Sequence, residues 1–367
     1  MRLSTSLLTA ATLLSPATAQ LDKLAKQAGL KYFGAATDTP GQRERAPYAA
    51  SYAQYDAILK SPDEFGQTTP TNGMKWLFTE PQPGLFNFTE GDYVADLAGT
   101  TRKLLRCHAL VWHNQLAPWV DAANATWTKE TLSAAITRHI RAVAGYYRGR
   151  CYAWDVVNEA LDEDGTYRKS LFYNVLGEEY IKLAFRTAAE VDPGAALYYN
   201  DYGIERPASV KTAGAIRLIK MLKDAGIRID GVGLQAHLHA DVHPSEADLV
   251  ATGQQFSELV REVAFTELDV RIEMPVNDTN LAWQTDAYQA VVGACIKVKK
   301  CVGITLWDFY DPFSWVPDVF AGQGAALLWF ADFSKHPAYD GMVQTFKKLA
   351  GERKKKDCKK KRRAIRG

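Results

Sequence analysis

Apolar residues along this chain recur with two alternating periods. Short runs rich in Val, Ile, Tyr, Phe and Thr, bounded by polar residues or glycine, read as buried strands. Eight are predicted: Tyr32–Ala36, Gly66–Thr69, Leu105–Trp112, Tyr152–Asn158, Ala196–Asn200, Gly231–Gln235, Val263–Asp269 and Gly303–Trp307. Between strands, apolar positions return every three or four residues, the spacing of one helix face. In Glu130–Tyr147 that stripe is Leu132, Ala135, Ile136, His139, Ile140, Val143 and Tyr147, and Glu178–Val191 and Lys211–Ala225 follow the same rule. No low-complexity linker or useful internal repeat interrupts residues 21–350. The alternation predicts a single (β/α)8 TIM barrel; a doubly wound open sheet is the competitor.

The strand ends separate the two. Polar groups follow nearly every predicted strand: Thr37-Asp38, then Asn72 and Met74-Lys75-Trp76, then Trp112-His113-Asn114-Gln115, Asn158-Glu159, Asn200-Asp201-Tyr202, Gln235-Ala236-His237, Glu267 with Asp269, and Trp307-Asp308. A barrel gathers all eight C-terminal ends around one pocket, whereas an open sheet gathers only those near its switch point. The active site is therefore expected at the C-terminal ends of the strands. Two ends carry most of the chemistry. Asp155-Val156-Val157-Asn158-Glu159 and Phe265-Thr266-Glu267-Leu268-Asp269 are apolar, β-branched runs that close on carboxylates. One such Glu reads most simply as a salt-bridged strand terminus. Two of them, far apart in sequence and converging on one pocket, match the paired carboxylates of a glycosidase. One protonates the leaving oxygen and the other attacks or activates water.

The neighbours agree with that chemistry. Amides, histidines and a lysine beside two carboxylates suit neutral polyhydroxylated ligands, and Trp76, Trp112, Trp307 and Trp315 are candidate platforms for sugar-ring faces. His113, His237 and His239 with Glu267 lack the local spacing of a metal motif, so neither a metal nor a cofactor is expected. There is no Gly-x-Ser-x-Gly elbow and no phosphate-cradling glycine loop. Basic residues outside the C-terminal segment are scattered, which argues against nucleic acid as a partner.

Composition adds the setting. With 367 residues, 47% of them hydrophobic, the chain can bury one large core. Arg2, the apolar run Leu7–Leu14 and Ala17-Thr18-Ala19 form a secretory leader over residues 1–19, giving a soluble, extracellular protein that starts near Gln20. That apolar run is too short to span a membrane, and no membrane partner is expected. Asn87, Asn124 and Asn277 head Asn-x-Thr sequons and are glycosylation candidates. Cys295 and Cys301 are close enough to bridge across a short loop. Cys107 and Cys151 lie at the starts of strands that would be neighbours and are expected to form a second bridge, leaving Cys358 over. The segment Arg353–Gly367 holds ten Lys or Arg and one Asp, a net of +9, while the whole chain is only +2. The rest is thus an acidic globule of about −7, or −8 without Arg2. Residues 20–350 are read as the catalytic barrel, and 351–367 as a basic tail without ordered structure. Such a tail could hold anionic polymers or be an unselected, solvated end. A single barrel with no separate carbohydrate-binding module is expected to act as a monomer.

Over residues 21–348 the chain resembles glycoside hydrolase family 10, the retaining endo-β-1,4-xylanases. The resemblance rests on ordered motifs: Tyr32-Phe33-Gly34-Ala35-Ala36-Thr37-Asp38; Asn72-Gly73-Met74-Lys75-Trp76 with Thr79-Glu80-Pro81; Leu110-Val111-Trp112-His113-Asn114-Gln115-Leu116; Trp154-Asp155-Val156-Val157-Asn158-Glu159; Asn200-Asp201-Tyr202; Gly233-Leu234-Gln235-Ala236-His237-Leu238; Thr266-Glu267-Leu268-Asp269; and Gly303-Ile304-Thr305-Leu306-Trp307. It implies that Glu159 is the acid/base and Glu267 the nucleophile. Asn158 would hydrogen-bond the sugar 2-hydroxyl, and His237 with Asp269 would orient Glu267 and keep it ionised. Asn72, Lys75, Trp112, His113, Gln235 and Trp307 would bind substrate around the scissile bond, with Trp315 capping the glycone side. The implied substrate is plant cell-wall xylan.

The chain also departs from the family pattern. Thr71 stands where the family usually has a Glu that holds a glycone-side hydroxyl, forgoing a charge-assisted hydrogen bond of about 1.5–3 kcal/mol. Cys107 replaces a Gly. Asp308-Phe309-Tyr310-Asp311 replaces small residues expected at the cleft mouth. Some members of this family act on saponins such as α-tomatine, and a remodelled glycone side is what that change would need. The alternatives to a xylanase are therefore a saponin-deglycosylating enzyme on the same scaffold, a dead carbohydrate-binding barrel, or a surface effector working through its basic tail.

Overall fold

A computed structural model describes residues 21–38, 52–122 and 126–364. The leader expected over residues 1–19 and the sequon residue Asn124 lie outside them. Eight strands form the barrel: β1 (Tyr32–Thr37), β2 (Gln67–Pro70), β3 (Leu104–Trp112), β4 (Ala153–Asn158), β5 (Ala196–Asp201), β6 (Gly231–Leu234), β7 (Glu262–Glu273) and β8 (Cys301–Leu306). Neighbours pair in parallel, and β8 closes on β1 from Tyr32 opposite Gly303 to Ala35 opposite Leu306. The expected closed barrel is what forms, with each predicted strand in its place.

The local chemistry explains the pattern. Strands covered on both faces must be apolar throughout rather than alternating, and β1 and β4 are buried at every position. The least apolar strand, β2, is just as buried. It satisfies its polar atoms inside the barrel: Thr305 donates to Gln67 at 2.6 Å, and Gln67 donates to Thr69 at 2.8 Å. Helices begin where a side chain can accept the first free amides. Thr128 caps Lys129–Tyr146, Ser209 caps Val210–Asp224, Ser245 caps Glu246–Leu259 and Asn277 caps Asp278–Lys297. The stripe Leu132, Ile136, Ile140 and Val143 faces the barrel fully buried. Both disulfides form, Cys107–Cys151 tying β3 to the segment leading into β4 and Cys295–Cys301 closing the turn into β8.

Two features go beyond the sequence pattern. Strand β7 is twelve residues long and continues past the barrel. Its outer part pairs with His237–His239, placing His237 opposite Asp269, and with Gln323–Gly324 on its other side. The second is the C-terminal segment. It was expected to lack ordered structure, but the last helix runs from Pro337 to Ala364. Ala338, Tyr339, Met342, Phe346 and Ala350 dock its first half. Lys and Arg are good helix formers, and a helix already nucleated by docking extends at little cost.

Candidate active site

The C-terminal strand ends enclose a cleft of about 780 Å³. Backbone strain is concentrated around it. Gln115, Glu159, Ala236 and Asp308, which follow β3, β4, β6 and β8, all take left-handed backbone angles (φ +46°, +54°, +60° and +68°). Such conformations cost about 1 kcal/mol or more for residues with a Cβ and persist where surrounding contacts enforce them. For Glu159 one such contact is its own amide, which donates to the Asn200 carbonyl at 2.9 Å.

Glu267, on the inner part of β7, is 4% exposed. Asn200 donates to one carboxylate oxygen at 2.6 Å, and Thr266 fixes that amide by donating to its oxygen at 2.6 Å. The other oxygen faces His237 Nε2 at 3.2 Å, and His237 Nδ1 meets Asp269 at 2.8 Å. Asp269 also accepts from the Trp315 indole at 2.8 Å. Burial opposes a charged imidazole, but the Asp269 and Glu267 carboxylates outweigh it and raise His237 to about 10. His237 is therefore an imidazolium at neutral pH and donates from both nitrogens. Burial in turn pushes the Glu267 carboxyl up, yet the His237 hydrogen bond and the nearby positive charge hold it below the usual carboxylate range. Glu267 is kept ionised.

Glu159 is held differently. Its partners are neutral: the Trp112 indole donates at 2.8 Å and the Gln235 amide at 3.0 Å. Asn158 joins the two carboxylates, since its oxygen accepts from Asn200 at 2.9 Å and from Gln235 at 3.3 Å. On the β2 side, Lys75 donates to Gln115 at 2.6 Å and to Asn72 at 3.1 Å, and lies 4.5 Å from the centre of the Trp112 ring. Burial pulls Lys75 down to about 8, although Glu267, Asp38 and Glu159 all favour its charge. Asn72 in turn donates to Asp38. One carboxylate fixed as an anion, a second carboxyl with uncharged donors and a wall of amides can transfer a glycosyl group through paired acid and nucleophile.

The model of the family described as Glycosyl hydrolase family 10 matches residues 20–345. The chain belongs to that family. It is 65% identical over 324 residues to endo-1,4-beta-xylanase A of Humicola insolens, covering 88% of this chain and 85% of the relative. It is 48% identical to endo-1,4-beta-xylanase D of Talaromyces funiculosus, covering 89% and 77%. Among solved structures, Penicillium canescens endo-1,4-beta-xylanase XylE superposes with a TM-score of 0.84 at 40% identity, covering 90% of this chain and 98% of that one. A GH10 xylanase from Bispora sp. MEY-1 with xylobiose gives 0.83 at 40% identity, covering 89% and 99%.

In this family 10 hydrolase most of the expected site residues meet in the cleft. Asn72, Lys75, Trp112, Asn158, Glu159, Gln235, His237, Glu267, Trp307 and Trp315 line it, and Asp269 stands behind His237. His113 does not line it. It stands beside Trp112 with ring centres 5.9 Å apart, its Nδ1 4.0 Å from Glu159. The histidine of β3 that reaches the cleft is instead His108, inside the strand and held by Asp155 at 2.9 Å. It was missed because a histidine within an apolar run reads as core, whereas one at the strand end reads as function. Gln115, an expected member of the motif but not a named site residue, also lines the cleft.

Two further expectations are corrected. Trp76 offers no sugar platform: it is 2% exposed and stacks on His139 at 3.9 Å. Of Asp308–Asp311, only Asp308 lines the cleft. Phe309 and Tyr310 are buried, with Phe309 stacked on Tyr55 at 4.5 Å, and Asp311 pairs with His336 at 2.9 Å. The left-handed turn at Asp308 sends the following aromatics into the core. Thr71 does line the cleft, its hydroxyl buried without a hydrogen-bond partner among the described residues. The sequon residues Asn87 and Asn277 are exposed.

Proposed function

We propose that this hydrolase is a secreted endo-β-1,4-xylanase that cleaves xylan with retention of configuration. The observation that carries the reading is the unequal pair of carboxyls, with Glu267 ionised by His237 and Asn200 and facing the same cleft as Glu159. Glu267 attacks the anomeric carbon while Glu159 protonates the departing oxygen, forming a glycosyl-enzyme ester. Water, deprotonated by Glu159, then displaces Glu267 and returns the starting stereochemistry. In this reading Asn158 holds the sugar 2-hydroxyl, and Trp307 and Trp315 cover the sugar on the glycone side. The printed names of the relatives support xylan as substrate. The start of the family match at residue 20, where the leader is expected to end, fits secretion.

The test is product analysis on glucuronoxylan and, separately, on α-tomatine. Short xylo-oligosaccharides from the first are expected. Silence on xylan with release of sugar from the second would replace the substrate and keep the mechanism. Inward burial of Phe309 and Tyr310 leaves Thr71 and Asp308 as the remaining motives for that alternative. For the roles, Glu159→Ala should regain activity on an aryl xyloside with azide, and an active Glu267→Gln would sink the assignment.

A further inference from the structure

The catalytic reading leaves the C-terminal helix unused. The family match stops at residue 345, and the helix continues to Ala364. Its docked half already carries exposed Lys347 and Lys348, followed by Glu352 and then by exposed Arg353, Lys354 and Lys355. Elsewhere surface cations commonly have an acidic neighbour: Arg141 has Glu190 at 3.1 Å, Lys182 has Glu179 at 2.7 Å and Lys60 has Asp56 at 2.7 Å. Among the described residues, none of these five C-terminal cations forms an ion pair. Arg353 instead donates to the Ala28 carbonyl at 2.9 Å. That contact also orients the helix. Ala28 precedes β1, so the basic end leaves the barrel at the face opposite the catalytic cleft.

We infer that the basic extension of this helix, from Arg353 onward, is a binding site for a polyanionic polysaccharide with a carboxylate on each sugar ring. The reasons are charge density and geometry. Nine cations in the twelve helical residues from Arg353 to Ala364, at a rise of about 1.5 Å per residue, give roughly one charge every 2 Å. A neutral glycan has nothing to answer that, and sparse uronic-acid branches answer little of it. A polyuronate matches it continuously along its length. The barrel itself is acidic, so it would be repelled by such a polymer, and the helix supplies the attraction. Attachment through the opposite face leaves the cleft open to substrate. Preferring an extracellular polysaccharide over a lipid surface rests on the proposed secreted glycan hydrolase.

The experiment compares the full chain, verified by intact mass, with a chain ending at Gly351, which keeps every docked apolar residue. Retention is measured on immobilised polygalacturonate, on its fully methyl-esterified and hence neutral form, and on vesicles containing phosphatidylserine. Hydrolysis of a soluble xylo-oligosaccharide is followed in parallel. The full chain should bind polygalacturonate at about 50 mM NaCl and lose at least about ten-fold in affinity by about 300 mM. It should ignore the esterified form, and truncation should abolish binding with kcat/KM unchanged. Lys359→Gln/Lys360→Gln/Lys361→Gln should fall between. Equal binding by the truncated chain, or tighter binding to the vesicles, would overturn the inference. Loss of hydrolysis by both chains would instead strike the proposed function.

Discussion

The two glutamates of the cleft are one residue type in two opposite settings. Glu267 is buried, bonded by an imidazolium and by an amide that a threonine holds in place. Glu159 sits on a strained turn with uncharged donors, Trp112, Gln235 and Asn158. The contrast teaches where each role comes from. A neighbouring positive charge holds one carboxylate ionised, as the proposed nucleophile requires, while neutral donors orient the other, the proposed acid/base.

The strongest way to break the comparison is to remove the charge that differs. Glu267→Gln should lower kcat by about 10⁴-fold or more, because it removes the carboxylate proposed to form the ester. His237→Asn removes the imidazolium and should cost about 10²-fold in kcat with a smaller change in KM. The same histidine gives a pH signature. Its folded value of about 10 lies above the ordinary imidazole value of about 6.5. Its stabilisation is therefore complete below about 6.5 and disappears as pH rises through about 10. The melting-temperature gap between wild type and His237→Asn should shrink across that window. A gap that instead widens with pH would mean the histidine is buried neutral.

Smaller perturbations sharpen the contrast. Asn200→Ala removes a donor to the ionised Glu267 and should cost more than Trp112→Phe, which removes a neutral donor to Glu159; about 10–100-fold against about ten-fold in kcat is expected. On the glycone side, Thr71→Glu should lower KM for xylo-oligosaccharides by about ten-fold with kcat little changed. An unchanged KM would mean that Thr71 does not face the sugar. Smallest of all, His113→Phe should change kcat/KM by no more than about three-fold, since His113 stands off the cleft; His108→Phe should cost far more.

The legibility of these features in sequence follows how local their causes are. Apolar runs exposed the barrel because each strand must be buried on both faces, and even Gln67-Thr68-Thr69-Pro70 was found from its place in the alternation. That both glutamates face the cleft was readable because a Glu ending an apolar run has no place in a core. What stayed hidden depends on the direction the chain takes in space. Nothing in Asp308-Phe309-Tyr310-Asp311 says that the aromatics turn inward onto Tyr55, which lies more than two hundred residues earlier. Trp76 and His108 exchanged their expected places for the same reason: the indole found His139 on an outer helix, and the imidazole found Asp155 inside the barrel. The helical course of the basic segment was missed because composition reports charge but not the docked turns that nucleate the extension.

The most direct test of the central claim is to trap the intermediate. The enzyme would be incubated with an activated 2-fluoro xylobioside, which forms the glycosyl-enzyme quickly and hydrolyses slowly, and the adduct located by peptide mass spectrometry. The unequal setting of the two carboxyls predicts a label on Glu267 and none on Glu159. A label on Glu159, or no adduct together with inverted product from the unfluorinated substrate, would contradict it.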